Sequence, residues 1–294
     1  QGGLYTSRSD WATARRTAQE RITFEDRLGL YERVDAHAMV AWMSYQMGDL
    51  ETGERDSAEM VARVLPGQAP YTALHLFAWR AVILYMLGRW DAAAQMFWRG
   101  LEAWHDAGSH AAGYGLRGFT VGLDIGRGRG DGRLIGAATT AIESVIARYS
   151  EGQLYRFYAR YVQGDVAYEP DAVFPSHGYL IADLVERRLN FANDARLPVP
   201  PQIIEGGLAR AERDVLPMLE AQLRRARALT AGDAEEMSRA IAIWERVGAL
   251  TMLGRARAER GLLLHDAAET EAGLAILKKI GDGNYVDRFV AHVV

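Results

Sequence analysis

Several groups of residues in this chain have types and spacings that could support chemistry. The run Gly126-Arg127-Gly128-Arg129-Gly130-Asp131-Gly132 offers glycines that let a backbone wrap an anion and two arginines to neutralise it. A phosphate loop of that kind needs a strand before it and a Lys-Ser/Thr pair at its end. Here a helical pattern precedes it and the pair is missing, so the run is expected to be a mobile helix-to-helix turn. His105 and His110 flank a helix end without a His-Glu-x-x-His pair or a third ligand, which points to capping and loop roles rather than metal binding. Glu25-Asp26 and Glu235-Glu236 read as solvated helix-face charge. No Gly-x-Ser-x-Gly elbow and no aspartate-rich metal motif occurs. No catalytic residue, metal ligand or cofactor is assigned, and the chain reads as a non-enzyme.

Gly115, Gly118, Gly122 and Gly126 fall on one helical face at spacings of three, four and four. Each costs up to about 1 kcal/mol relative to alanine in a helix interior. Two returns would justify the stripe: close approach of a neighbouring helix, which is the more direct, or a surface opened for a ligand.

The elements that would position such residues are helices. Prolines are few, and the long intervals between them are rich in Ala, Leu, Arg and Glu. No sustained alternation of apolar and polar residues suggests a strand. Helical patterns run over 10–27, 30–47, 51–65, 71–87, 92–105, 111–125, 133–149, 154–163, 177–193, 201–229, 234–247, 250–264 and 267–280, with a short cap at 286–293. Pro217 either kinks one long helix over 201–229 or divides it in two. In the second case the helix pairing beyond Tyr149 shifts.

Two internal comparisons show repetition. Met43-Ser44-Tyr45-Gln46-Met47-Gly48-Asp49-Leu50-Glu51 recurs forty positions later as Ile83-Leu84-Tyr85-Met86-Leu87-Gly88-Arg89-Trp90-Asp91. Asp233-Ala234 through Gly248 matches Asp266-Ala267 through Gly281, thirty-three positions on. Residues 74–108 then resemble a tetratricopeptide repeat: Gly88 at the turn, Trp90 as turn aromatic, Ala93 and Gly100 as small positions, Phe97 as the large one. In the preceding unit Gly53 and Ser57 replace the small and large positions, and the closing proline of the family is mostly absent. Residues 224–282 resemble the repeat regions of bacterial nucleotide cyclases, signalling ATPases and LuxR-type regulators.

The resemblance implies an all-α fold, a right-handed superhelical solenoid of antiparallel helix pairs. It divides into TPR-like repeats over 1–165, an irregular segment plus helix over 166–200, and further repeats over 201–294, as one continuous solenoid. It also implies that the first helix of each pair lines a concave groove. That places Asp35, Trp42, Tyr45 and Gln46 on the groove side in one unit and His75, Val82 and Tyr85 in the next, with Tyr158 and Tyr161 further on. Mixed aromatic and polar side chains suit peptide or ligand recognition, although Trp42 and Tyr85 would serve equally as core.

Composition limits the partners. The formal net charge of −4 provides no field that would draw nucleic acid, and 49% hydrophobic with 24% charged residues suits a folded domain. The absence of cysteine fits a cytoplasmic protein. No apolar run has the ~18–20 residues that span a membrane. The start at Gln1, with neither an initiator methionine nor a signal-peptide pattern, suggests a fragment of a larger bacterial regulator. The expected partner is a protein or peptide segment. A small ligand enclosed by the superhelix, with 166–176 as a lid, is the alternative, and self-association is a third reading.

Overall fold

A computed structural model of the chain describes residues 10–109, 112–148, 158–159, 161–163 and 199–293. Every regular element among them is helical. In chain order they are α1 (Trp11–Thr23), a 3-10 turn (Glu25–Arg27), α2 (Leu30–Gln46), α3 (Leu50–Arg63), α4 (Pro70–Met86), α5 (Trp90–Asp106), α6 (Ala112–Arg129) and α7 (Gly132–Ile146). After the gap come α8 (Pro201–Asp214), α9 (Pro217–Ala231), α10 (Ala234–Val247), α11 (Leu250–Leu264), α12 (Ala267–Ile280) and α13 (Gly283–Val293). The expected helix over 177–193 and the segment 166–176 lie outside the described residues, as does most of 154–163. The chain forms two compact units, Gln1–Gly126 with Gly132–Val145, and Arg127–Asp131 with Ile146–Val294. The boundary expected at 165 therefore falls inside the second unit.

Many of the helices end by one recurring device. In the first unit Gly48, Gly88 and Gly108 take left-handed backbone, with φ of 70°, 73° and 69°. The amide of the following residue then closes back on the last turn: Asp49 to the Ser44 carbonyl, Arg89 to Leu84, Ser109 to Trp104, each at 2.8 Å. Glycine adopts this conformation without a Cβ clash, which is why the turn glycines mark the repeat. In the second unit Gly232, Gly248 and Gly281 do the same, and Asp233, Ala249 and Asp282 close at 3.0 Å. Val215 and His265 make the same turn without glycine, at φ 51° and 54°. Asp233 and Asp266, one repeat apart, each accept two backbone N–H groups of the next helix, as N-caps do.

Within the first unit α1 packs on α2, α2 on α3 and α4, and α4 on α3 and α5. α4 is apolar around almost its whole circumference and is buried from Ala73 to Trp79 and from Ala81 to Met86. The small residues set how closely helices approach. A methyl group at Gly53 would stand 2.8 Å from Ile83 Cδ1 and 2.9 Å from Ser44 Cβ. Ser57, at the position where a large residue was expected, leaves room for Arg80, whose guanidinium donates to Ser57 Oγ at 2.9 Å and pairs with Glu54 at 2.6 Å.

The stripe of glycines on α6 serves close packing. A methyl at Gly118 would lie 3.1 Å from Ala78 Cα, at Gly122 2.4 Å from the Phe97 ring, and at Gly126 3.0 Å from Ile135 N. All four glycines are helical, because α6 continues to Arg129. The expected turn over 126–132 is therefore shorter than the sequence suggests: Gly130 alone has positive φ within it, and Arg127 to Arg129 belong to the helix.

In the second unit each of α8 to α12 packs on the next helix in sequence, α12 also meeting α13. Pro217 does not kink a helix; it opens a new one, filling a first-turn position where no N–H is needed, with Val215 ending α8. The register that placed Tyr158 and Tyr161 beside the earlier groove residues no longer applies. The hairpin of α11 and α12 is nearly backbone to backbone: a methyl at Gly273 would stand 2.3 Å from Ala258 N and 2.6 Å from the Gly254 carbonyl.

Candidate functional site

The first helices of two successive pairs in the first unit, α2 and α4, pack side by side. Trp42 of α2 stacks on Trp79 of α4, with centroids 5.7 Å apart and planes at 13°. Trp11 of α1 lies 5.9 Å from the same indole at 59°, and His75 meets it edge-on at 6.4 Å. Tyr45 packs 5.5 Å from Trp79, and the Arg117 guanidinium sits 3.9 Å over the Trp79 ring. The result is a ladder of aromatic rings with a cation against one of them, an arrangement that gains both packing and cation–π energy. Trp42 is half-buried, whereas Trp11, Tyr45, His75 and Trp79 are buried.

His75 is held as a neutral acceptor. Trp79 Nε1 donates to its Nε2 at 3.1 Å. Burial first, and the Arg117 charge second, push its pKa down to about 3. A ring that stays neutral and engaged by an indole is a positioning element for the ladder rather than an acid or base near pH 7.

Of the groove residues expected from the sequence, the structure brings Trp42, Tyr45 and His75 together. Asp35 lies two turns earlier on α2, partly exposed, where it pairs with Arg21 of α1 at 3.0 Å. Gln46 is one turn beyond Trp42 and buried, and its Nε2 has no hydrogen-bond partner among the described residues. Val82 is buried in α4, and Tyr85 is buried further along it, stacked at 5.4 Å on the turn residue Trp90. Tyr158 and Tyr161 are buried in the second unit, and Arg127 lies 4.9 Å over the Tyr161 ring. Trp11, Trp79 and Arg117 were missed. Trp79 follows His75 by four residues, the interval that stacks side chains on one helix face, and that signal was available.

The corresponding helices of the second unit carry charge instead of aromatic rings. Arg225 of α9, with a side chain 0% exposed, grips Glu259 of α11 through both carboxylate oxygens at 2.7 and 2.6 Å. Tyr285 of α13 donates its hydroxyl to Glu259 Oε1 at 2.7 Å. Arg255, one turn before Glu259, bonds Asp282 at 2.6 Å and lies 5.2 Å over the Tyr285 ring. Burial opposes the Arg225 charge, yet the Glu259 carboxylate leaves the guanidinium above its ordinary range. Burial and the same carboxylate push the Tyr285 phenol well up, so it remains a donor. Arg225 Nη1 and, three residues away, Gln222 Oε1 are buried without a partner among the described residues.

Two other expectations change. Glu236 is not solvated: it is buried and receives Arg224, Arg227 and Arg239, whereas Glu235 stays exposed beside Arg239. Glu25 is half-buried and pairs with Arg63 at 2.8 Å. His105 ends α5 with its ring 5.0 Å from Trp104, and His110 lies outside the described residues. Among the described residues no three His, Asp or Glu side chains are grouped to hold a metal, and no helix is long and apolar enough to cross a membrane. In comparison with known proteins, no family model and no curated protein matches the chain.

Proposed function

We propose that this chain is a non-catalytic module of the tetratricopeptide kind, stacked as a right-handed superhelical solenoid, that binds a segment of another protein along its inner wall. It would serve as a regulatory part of a larger bacterial signalling or transcription protein in the cytoplasm. One observation carries the binding reading: Trp42, half-buried, sits in a ladder of Trp11, Trp79, Tyr45 and His75 that fixes its orientation. A rigidly held, half-buried aromatic residue is the commonest energetic anchor of a protein interface. Asp35 and Met39, on the same face of α2 and neither fully buried, flank it with a polar and a pliable contact.

A photo-crosslinking amino acid at Met39 tests this in cells. The expected result is one cross-linked protein segment that disappears when Trp42→Ala is added. The same adducts from the outer-face position Arg55 of α3 would mean that the inner wall has no special role.

A second reading, a sensor that encloses a small ligand, draws on the second unit. There the buried Arg225 Nη1 is a donor and Gln222 Oε1 an acceptor, each without a partner among the described residues. A bound molecule with a matching acceptor and donor would complete both. Native mass spectrometry of the whole chain separates the readings: a retained small mass, lost with Gln222→Leu, supports the sensor, and a bare monomer removes it.

A further inference from the structure

One edge of the first unit carries a pattern independent of the inner wall. α2 and α4 pack side by side, with Trp42 against His75 and Trp79 and Tyr45, a turn further on, against Trp79, so they run in the same direction. Their second residues, Tyr31 and Tyr71, are equivalent at an interval of forty and are 54% and 46% exposed. Phe24 and Leu65 stand in the loops before these helices at 54% and 59%. Arg63 ties the two loops together, donating to both oxygens of Glu25 at 2.8 and 2.9 Å. Four large apolar side chains are thus gathered at one end of the helix stack, where isolated exposure would carry no meaning.

The loop that presents Leu65 is built to hold it out. Pro66 and Pro70 restrict the backbone, the Leu65 amide donates to Gln68 Oε1 at 3.3 Å, and the Gln68 amide donates to the Leu65 carbonyl at 3.1 Å. Beside the loop a shallow cleft runs between Pro66, Pro70 and Phe77 and the last turns of α5, where Arg99, Glu102 and Asp106 lie. Arg99 is committed: its two amino groups donate to the Val61 and Val64 carbonyls at 3.0 and 2.9 Å, and it covers the Phe77 ring at 4.4 Å. Glu102 and Asp106 are exposed and form no ion pair among the described residues, nor does Asp26 beside Phe24. Opposing them are Arg99, whose hydrogen bonds go to uncharged carbonyls and whose charge interacts with Glu102, and the exposed Arg27, 5.8 Å from the Phe24 ring. The edge is therefore apolar, preorganised and bordered by more acid than base.

We propose that this edge docks a segment of a partner protein that presents an aliphatic or aromatic side chain flanked by arginine or lysine. The apolar side chain covers Leu65 and Tyr71, and the cation reaches Glu102 and Asp106. This goes beyond the inner-wall reading and does not depend on it.

The test is selection of random peptides displayed on phage against the full chain. Enriched peptides should place Arg or Lys within a few residues of a large apolar side chain. Their affinity should fall at least tenfold with Leu65→Ser or Tyr71→Ser, and again with Glu102→Arg plus Asp106→Arg, while Trp42→Ala leaves it unchanged. These edge positions are exposed, and circular dichroism confirms that the variants keep their helices. Acidic or uncharged winners, insensitivity to the edge variants, or no enrichment overturns the proposal. Self-association in sedimentation that Leu65→Ser abolishes overturns it in favour of a second copy of this chain. Binders lost only with Trp42→Ala leave the inner-wall reading standing and remove this one.

Discussion

His75 shows how one side chain links packing to pH. Its ordinary pKa of 6.5 falls to about 3 in the folded chain, so between those values the unfolded chain holds a proton that the native ring refuses. Stability is then independent of this group above pH 6.5 and declines by about 1.4 kcal/mol per pH unit below it, until the folded pKa is reached. Urea unfolding at pH 7 and pH 5, followed by tryptophan fluorescence, should show a loss of about 2 kcal/mol from this source. The slope should vanish in His75→Phe even if that variant is less stable throughout. The Arg225–Glu259–Tyr285 group behaves differently, because Arg225 and Glu259 are a buried ion pair and Tyr285 a neutral donor to it. Removing one partner leaves the other buried, so Glu259→Ala should cost about 3–5 kcal/mol in chemical denaturation, against about 1.5 kcal/mol for Tyr285→Phe. Arg225→Met combined with Glu259→Leu should recover most of the loss. A double variant no more stable than Glu259→Ala would mean that the pair has some role beyond neutralising itself.

Helix boundaries were easiest to read where glycine or a capping aspartate marks the turn, and hardest where the chain does without them. Residues 234–247, 250–264 and 267–280 match their helices because Asp233, Gly248, Asp266 and Gly281 punctuate them. The break between α8 and α9 was ambiguous because Val215 makes a glycine's turn, and proline opens a helix as readily as it interrupts one. The aromatic cluster was legible in part for a similar reason. Position on a first helix identified Trp42, Tyr45 and His75, but which side chains meet across helices depends on the closeness set by Gly53, Gly118 and Gly122, and spacing along one helix does not encode that. Val215 yields a direct prediction. A β-branched residue at φ 51° and 74% exposed is strained and packs little, so Val215→Gly should raise stability by about 1 kcal/mol. An unchanged urea midpoint would mean that the strain is relieved locally. Gly122→Ala should act in the opposite sense, because its methyl would meet the Phe97 ring at 2.4 Å, with a cost of about 1–3 kcal/mol.

Whether the helices form a stack or a bundle can be decided from how stability is distributed along the chain. In a linear array each helix is held mainly by its neighbours, so protection should peak in the interior of each unit and fall towards its ends. A single shared core would instead protect every helix to a similar level. In the first unit α4 is the helix buried around its circumference, touching α2, α3 and α5, whereas α1 buries only Trp11, Ala14 and Ala18. In the second unit α11 combines nine buried residues with the close glycine contacts to α12, whereas α8 buries four. Hydrogen exchange followed by mass spectrometry should therefore find the slowest amides in α4 and α11 and, within the first unit, the fastest in α1. Glu259→Ala should lower protection in α9, α11 and α13, the three helices its carboxylate joins. Uniform protection within each unit, falling as one block in that variant, would favour the bundle. A graded profile with a loss centred on those three helices would favour the stack, and with it the extended inner wall on which the proposed recognition through Trp42 depends.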